Sequence, residues 1–267
     1  PSHFCVLPLV GSEKHIMPIY LNSPDFEPDS ERQSLLLDGS VDWEEHKDLG
    51  TIITVRGINR IILKESIQLY DSLVSYICNN GYHRLYLLAK GLKRTPDFEK
   101  NFNKEWFEKE MILPYRKILK KYRIVETESG NQKLFDDANN PNIIIPSGNK
   151  EERKRIYALA NDLFPTKLPL EKYASSWALF AWKECGLFET EDLCNYVAKQ
   201  ENASQLPSYE WLNQFLTFIE DTDETLLKKY CLVPNNYGNL ISLEEQDFSE
   251  GVGLTEFMLD TLLCLDL

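Results

Sequence analysis

The chain has 267 residues, 43% of them apolar and 27% charged, a composition that supports a globular fold with a buried core. Its formal net charge is -13, so the surface repels phosphate backbones and generic nucleic-acid binding is not expected. No apolar run approaches the roughly 18 residues of a membrane-spanning helix, so no membrane partner is expected.

In chain order, Phe4–Leu9 and Ile16–Leu21 are short apolar runs that read as two strands of a hairpin. Pro8 and Pro18 each remove a ladder donor and belong at edges or bulges. Because a lone hairpin is marginal in water, these strands read as part of a larger sheet whose other members lie outside the chain. The start at Pro1 likewise reads as a piece of a longer protein, with no signal-like segment. Asp29 or Ser30 caps an expected short helix through Leu37, and residues 38–57, polar and glycine-rich, read as a loop. Ile58–Asn80 reads as a strong helix, with Ile62, Leu69, Leu73 and Ile77 on one face, Tyr70 and Val74 beside them, and Gly81 as its stop. A short helix is expected over Tyr82–Gly91.

Two later stretches share a pattern. Lys120–Asn131 reads KKYRIVETESGN and Lys228–Asn239 reads KKYCLVPNNYGN. Fixed self-similarity points to a reused structural unit. Trp106, Phe107, Met111, Ile112, Tyr115, Ile118, Leu119 and Tyr122 have helical spacing before the first copy, with Pro114 bending or restarting the helix. Trp211, Leu212, Phe215, Phe218, Ile219, Leu226 and Leu227 do the same before the second. Arg123–Glu126 and Gln132–Phe135 read as strands around a Ser129-Gly130-Asn131 turn. Leu232-Val233 and Leu240–Leu243 flank Asn236-Tyr237-Gly238-Asn239. Gly130 and Gly238 are expected at positive φ in tight turns. Between the copies, Lys150–Asp162 and Tyr173–Gly186 read as helices punctuated by Pro165 and Pro169. Thr190 caps a helix through Lys199, with Glu191 and Asp192 favouring its dipole. Leu254–Leu265 reads as a final amphipathic helix.

The sum is an α+β fold, mostly helical with short β-hairpins. It divides into residues 1–57 (strand hairpin and loop), 58–150 (first helix–hairpin unit) and 151–267 (helical region with the second unit).

No phosphate-cradling glycine loop, dinucleotide fingerprint, zincin helix or nucleophile elbow occurs, and no catalytic residue is legible. Cys5, Cys78, Cys185, Cys194, Cys231 and Cys264 form no paired motif and stand at no ligand spacing from His3, His15, His46 or His83. They read as reduced thiols of a cytoplasmic protein, with no metal site. Asp136-Asp137 and Glu244-Glu245 read as solvated surface, and Trp177, Phe180 and Trp182 as core. Lys90–Arg94 and Lys150–Arg155 are the best local basic patches and read as solvent-facing.

The residues His3-Phe4-Cys5-Val6-Leu7-Pro8-Leu9, Met17-Pro18-Ile19-Tyr20-Leu21-Asn22 and Phe26-Glu27-Pro28-Asp29-Ser30-Glu31-Arg32 resemble a segment of sacsin and its bacterial relatives. These are ATPases of the GHKL type used by large heat-shock chaperones. The resemblance spans about residues 3–37 and extends more loosely over Trp106–Pro146 and Tyr230–Leu267. It keeps a Leu-Pro-Leu, a proline, Asn22, Phe26 and Arg32, and departs at Tyr20 and Gln33. It implies a region at the end of and after the ATPase domain, with the GHKL nucleotide motifs upstream of Pro1. On that resemblance the chain is a non-catalytic transducer or client-binding module, chaperone-like and without cofactor of its own. ATP and magnesium then belong to an upstream domain that makes the intact protein an ATPase and is this module's partner, beside an unidentified protein client. Arg32, matching the family's arginine-bearing turn, is the one residue that the resemblance places near nucleotide. Two other readings stay open: an interaction scaffold in a bacterial defence or multidomain ATPase system without nucleotide coupling, and a small enzyme with an unrecognised site.

Overall fold

Pro8 cannot donate to a sheet ladder, and it lies in an outer strand. In the computed structural model, which describes residues 3–5, 7–9, 12, 17–95, 101–235 and 237–243, β1 (His3–Cys5) turns back at once into β2 (Leu7–Pro8). It also pairs in parallel with β3 (Leu21–Asn22), giving the order β2–β1–β3. The expected single strand over Phe4–Leu9 is thus itself a tight hairpin, and its second neighbour runs parallel to it.

Asp29 does not start a helix. Its carboxylate accepts the backbone N–H groups of Gln33 (2.7 Å) and Ser34 (3.4 Å), which closes a turn and leaves Pro28 bridged to Leu35. Aspartate offers the backbone such local alternatives to helix. The segment read as a loop holds an antiparallel ribbon, β4 (Trp43–His46) and β5 (Gly50–Ile53), turned through Gly50 at φ 72°.

Helix α1 (Val55–Asn79) begins with the Thr54 hydroxyl accepting the Gly57 N–H at 3.0 Å and stops before Gly81 at φ 68°. Its inward face is not the expected one. Asn59, Arg60, Leu63, Ser66, Tyr70 and Val74 are buried, whereas Leu69 is 67% and Leu73 39% exposed. Three of the buried positions are polar and carry hydrogen bonds inward, which apolar periodicity cannot register. The region Tyr82–Gly91 holds a 3-10 turn over Leu85–Ala89.

Helices α2 (Lys104–Phe107) and α3 (Leu113–Leu119) flank a π turn over Glu108–Ile112. Pro114, having no N–H, interrupts the α ladder, and the wider turn absorbs the break in register. Strands β6 (Val125–Thr127) and β7 (Gly130–Gln132) follow as a pair.

The rest is helical with two small sheets. β8 (Ile145–Pro146) pairs in parallel with β9 (Leu187–Phe188). α4 (Lys150–Leu163) starts at a capping box between Asn149 and Glu152. α5 (Glu171–Phe180) ends six residues short of the expected Gly186, and a 3-10 turn over Lys183–Cys185 follows it. α6 (Thr190–Ala198) is capped one residue earlier than expected: Glu189 holds the cap position and donates its N–H to Asp192 at 2.9 Å. α7 (Tyr209–Asp223), α8 (Leu226–Lys229), β10 (Val233–Pro234) and β11 (Leu240–Ile241) complete the described chain. The expected helix over Leu254–Leu265, together with Glu244-Glu245, Cys264, His15 and Asn236, lies outside the described residues. Among those described, no helix is long and apolar enough to cross a membrane, and the five cysteines are free.

The chain forms two compact units. One comprises Pro1–Glu126, Gly130–Ile143 and Leu179–Cys185; the other comprises Thr127–Ser129, Ile144–Ala178 and Gly186–Leu267. In the first, Tyr70 and Tyr115 meet edge-on at 4.5 Å, each with its hydroxyl satisfied, by the Leu88 carbonyl (2.6 Å) and the Ser66 hydroxyl (2.8 Å). In the second, Trp211 stacks on Phe215 and donates its indole N–H to the Leu159 carbonyl at 3.0 Å, amid Leu193, Val197, Ile219 and Leu232.

Candidate functional site

Arg32 sits in the turn that the Asp29 carboxylate closes. Its backbone adopts φ 53°, a left-handed conformation that costs a non-glycine residue about 1–2 kcal/mol. Its N–H donates to the Asp29 carbonyl at 3.0 Å. Its guanidinium does not turn to the neighbouring acids; it donates through Nη2 to the Cys5 carbonyl at 3.1 Å, tying the turn to β1. The side chain is exposed, so its remaining donors face solvent.

The first turns of α1 gather the preceding segment by polar contacts. The Asn59 amide accepts the Glu27 N–H (2.8 Å) and donates to the Glu27 (2.8 Å) and Leu36 (3.1 Å) carbonyls. Buried Arg60 donates to the Leu37, Asp38 and Gly39 carbonyls, pairs with Asp42 at 2.6 Å and lies over the Trp106 ring. Arg56 grips Asp38 in a two-pronged pair, and that hydrogen bond holds the Asp38 carboxyl below the usual range. These charged groups organise a loop, a role that residue type alone does not disclose.

An open depression of about 640 Å³ runs along α1 and is lined by Gln68, Asp71, Ser72, Ser75, Tyr76, Asn79, Asn80 and Tyr122. Asp71 accepts from Lys121 Nζ (2.9 Å) and from the Tyr122 hydroxyl (2.7 Å). The Lys121 bond, then the Tyr122 bond, holds the Asp71 carboxyl low, and the same Asp71 contact raises the Tyr122 phenol. A carboxylate so engaged is a weaker base, and a phenol so raised a weaker acid, than the free groups.

Glu126 is a site residue that sequence reading missed. It is buried, and its carboxylate accepts the N–H groups of Arg84 and Leu85, both at 3.2 Å, at the head of the 3-10 turn, with His83 Nδ1 at 3.3 Å. A carboxylate at a helical N-terminus satisfies orphan donors, but a lone glutamate in a strand pattern carries no sign of it.

The two basic stretches differ from simple patches. Arg153 donates to the Gly148 carbonyl and Arg155 pairs with Asp221 at 2.6 Å while covering Phe218. In the other, the Leu92 and Lys93 carbonyls are themselves gripped by Arg116. Trp177 and Trp182 are core, as expected. Burial pushes the Cys185 and Cys194 thiols up to about 12, which leaves them inert. Among the described residues, no group of three His, Cys, Asp or Glu could hold a metal ion. No protein-family model, curated protein or solved structure matches the chain.

Proposed function

We propose that this chain is a non-catalytic transducing or binding module of a larger, sacsin-like ATP-binding protein in the cytoplasm, with ATP and magnesium held by an upstream domain of the same protein. The observation that carries the reading is the placement of Arg32. A strained backbone and a tether to the Cys5 carbonyl hold its guanidinium at the end of β1, the central strand of the small β2–β1–β3 sheet. Backbone strain concentrates where geometry serves function. A guanidinium with outward donors suits a phosphate or carboxylate on an adjoining domain.

The test is the ATPase rate of the intact protein. Arg32→Ala is expected to lower turnover at least about tenfold, about 1.4 kcal/mol of transition-state stabilisation, while shifting the melting temperature of the isolated chain little. Turnover equal to wild type leaves Arg32 as a loop tether. A scaffold reading without nucleotide coupling is favoured by one other feature, the ribbon β4–β5, which stands out with an aromatic side chain exposed.

A further inference from the structure

Among the described residues, the β4–β5 ribbon is anchored at its base. Arg60 pairs with Asp42, the Thr54 N–H donates to the Asp42 carbonyl at 2.9 Å, and a Cβ at Gly57 would collide with that same carbonyl and with Ile53. Beyond the base, all four residues of β4 and the first two of β5 are exposed, and Trp43 is 54% exposed. An isolated two-stranded ribbon is marginal in water, and its outer backbone is a template for another strand.

The register says which groups face outward. Thr54 donating to Asp42 makes that pair hydrogen-bonded, so Glu44↔Ile52 and His46↔Gly50 are hydrogen-bonded too, and Trp43↔Ile53 and Glu45↔Thr51 are not. The main-chain N–H and C=O of Trp43 and Glu45 therefore point to the open edge of β4. Their side chains share one face, two residues apart. Glu45 is fixed there by the Thr51 hydroxyl at 2.6 Å.

We infer that the outer edge of β4 accepts an extended segment of a partner protein by strand addition, with an apolar residue opposite Trp43 and a lysine or arginine, two positions away, opposite Glu45. Main-chain pairing supplies the affinity and the alternate side chains supply the choice of segment. Charge selects the occupant. The segment Asp42–Leu49 carries Asp42, Glu44, Glu45 and Asp48 against Lys47 and His46, on a chain of net charge -13. A second copy of the ribbon brings like charges together and is disfavoured; a basic segment is attracted. The inference rests on reading the chain as an interaction module and goes beyond Arg32, since the ribbon needs no nucleotide.

The experiment titrates the chain with an extended octapeptide that alternates valine and lysine on one face, following amide NMR shifts over residues 43–53. Perturbation confined to the ribbon is expected, with none from the same peptide carrying glutamate for lysine. Trp43→Ala is expected to weaken binding about tenfold. Glu45→Lys is expected to reverse the preference, so that the glutamate peptide binds and the lysine peptide does not. N-methylation of the outward-paired peptide amides is expected to abolish binding. No shift at millimolar peptide, binding that ignores Glu45→Lys, or concentration-dependent self-association through the ribbon overturns the proposal. Because Mg-ATP and Arg32 take no part, these failures are distinct from failure of the nucleotide-linked reading.

Discussion

Two hairpins 108 positions apart carry the same short sequence pattern, yet their turns differ and they are held in different ways: Gly130 opens the return strand β7, whereas Gly238 lies in the longer connection before β11. In both, a helix ends at or before the Lys-Lys pair, a buried aliphatic pair follows (Ile124-Val125 and Leu232-Val233), the valine opens the first strand, and glycine takes positive φ (97° at Gly130, 77° at Gly238). In both, the second lysine reaches an acid on an earlier helix: Lys121 meets Asp71 on α1, and Lys229 meets Glu191 on α6 at 3.1 Å. The differences lie at positions the pattern leaves open. Where the first copy has Glu126, spending its carboxylate on backbone amides, the second has Pro234, which offers none. Where the first has Thr127, the second has Asn235, whose side chain accepts the Tyr237 and Asn239 N–H groups. The second tip is further pinned by Asn202, which donates to the Tyr237 carbonyl, and by the Ala203 N–H on the Gly238 carbonyl at 2.8 Å. The shared pattern thus goes with a buried aliphatic pair and a positive-φ glycine, while unshared residues set the length of the turn and what it is fastened to.

The sharpest way to break the comparison is at Glu126. Glu126→Ala leaves two amides at a buried helical start without their acceptor and is expected to destabilise by about 2–3 kcal/mol; Pro234→Ala, at the matching position, is expected to cost less. Denaturant midpoints measure both. Equal effects mean that Glu126 is not the anchor.

The glycines sharpen it next. Gly130→Ala meets open space and costs only its conformation, about 1 kcal/mol. Gly238→Ala adds a Cβ at 3.1 Å from the Asn202 amide and is expected to cost about 2 kcal/mol. Restoring room with Gly238→Ala plus Asn202→Ala is expected to recover no more than the steric part, as a double-mutant cycle on thermal midpoints will show.

The lysine latches are the smallest effect. The Asp71 carboxyl is held below its usual value, so its contribution is present above the unfolded value of 3.8 and is lost as pH falls through the lower folded one. Since the pair is partly exposed and screened, Asp71→Asn is expected to cost under about 1 kcal/mol at neutral pH and less in high salt. Lys229, raised first by Glu191, contributes below 10.5 and loses that contribution as pH rises through its folded value; Lys229→Met is expected to change the midpoint less than Lys121→Met. Salt-dependent melting curves check both.

The elements built on apolar spacing and glycine stops were legible in the sequence: α1, the helices before each copy, and the existence of both hairpins with their positive-φ glycines. The first hairpin's bounds were not, since its strands are Val125–Thr127 and Gly130–Gln132 rather than Arg123–Glu126 and Gln132–Phe135, and Gly130 and Asn131, expected in the turn, lie in the return strand. What escaped was polar. Asn59, Arg60 and Ser66 turn α1 through a face that hydrophobic spacing does not mark, so Leu69 and Leu73 were assigned to the core and lie at the surface. The β4–β5 ribbon escaped because nearly every residue in it is exposed, leaving no apolar alternation to read. Arg32 was singled out by resemblance; its strained φ and its bond to Cys5 depend on tertiary placement and have no sequence signature. The Asp71–Lys121–Tyr122 cluster joins residues 50 positions apart, and half of it lay within the repeat without its acid partner being visible.

The proposal at the centre of this account is a module that serves an upstream nucleotide-binding domain without holding nucleotide itself. Calorimetric titration of the chain with Mg-ATP tests it most directly. The account predicts no heat of binding, because the sequence has no phosphate-cradling glycine loop and no GHKL nucleotide motif; a saturable signal of micromolar affinity would contradict it.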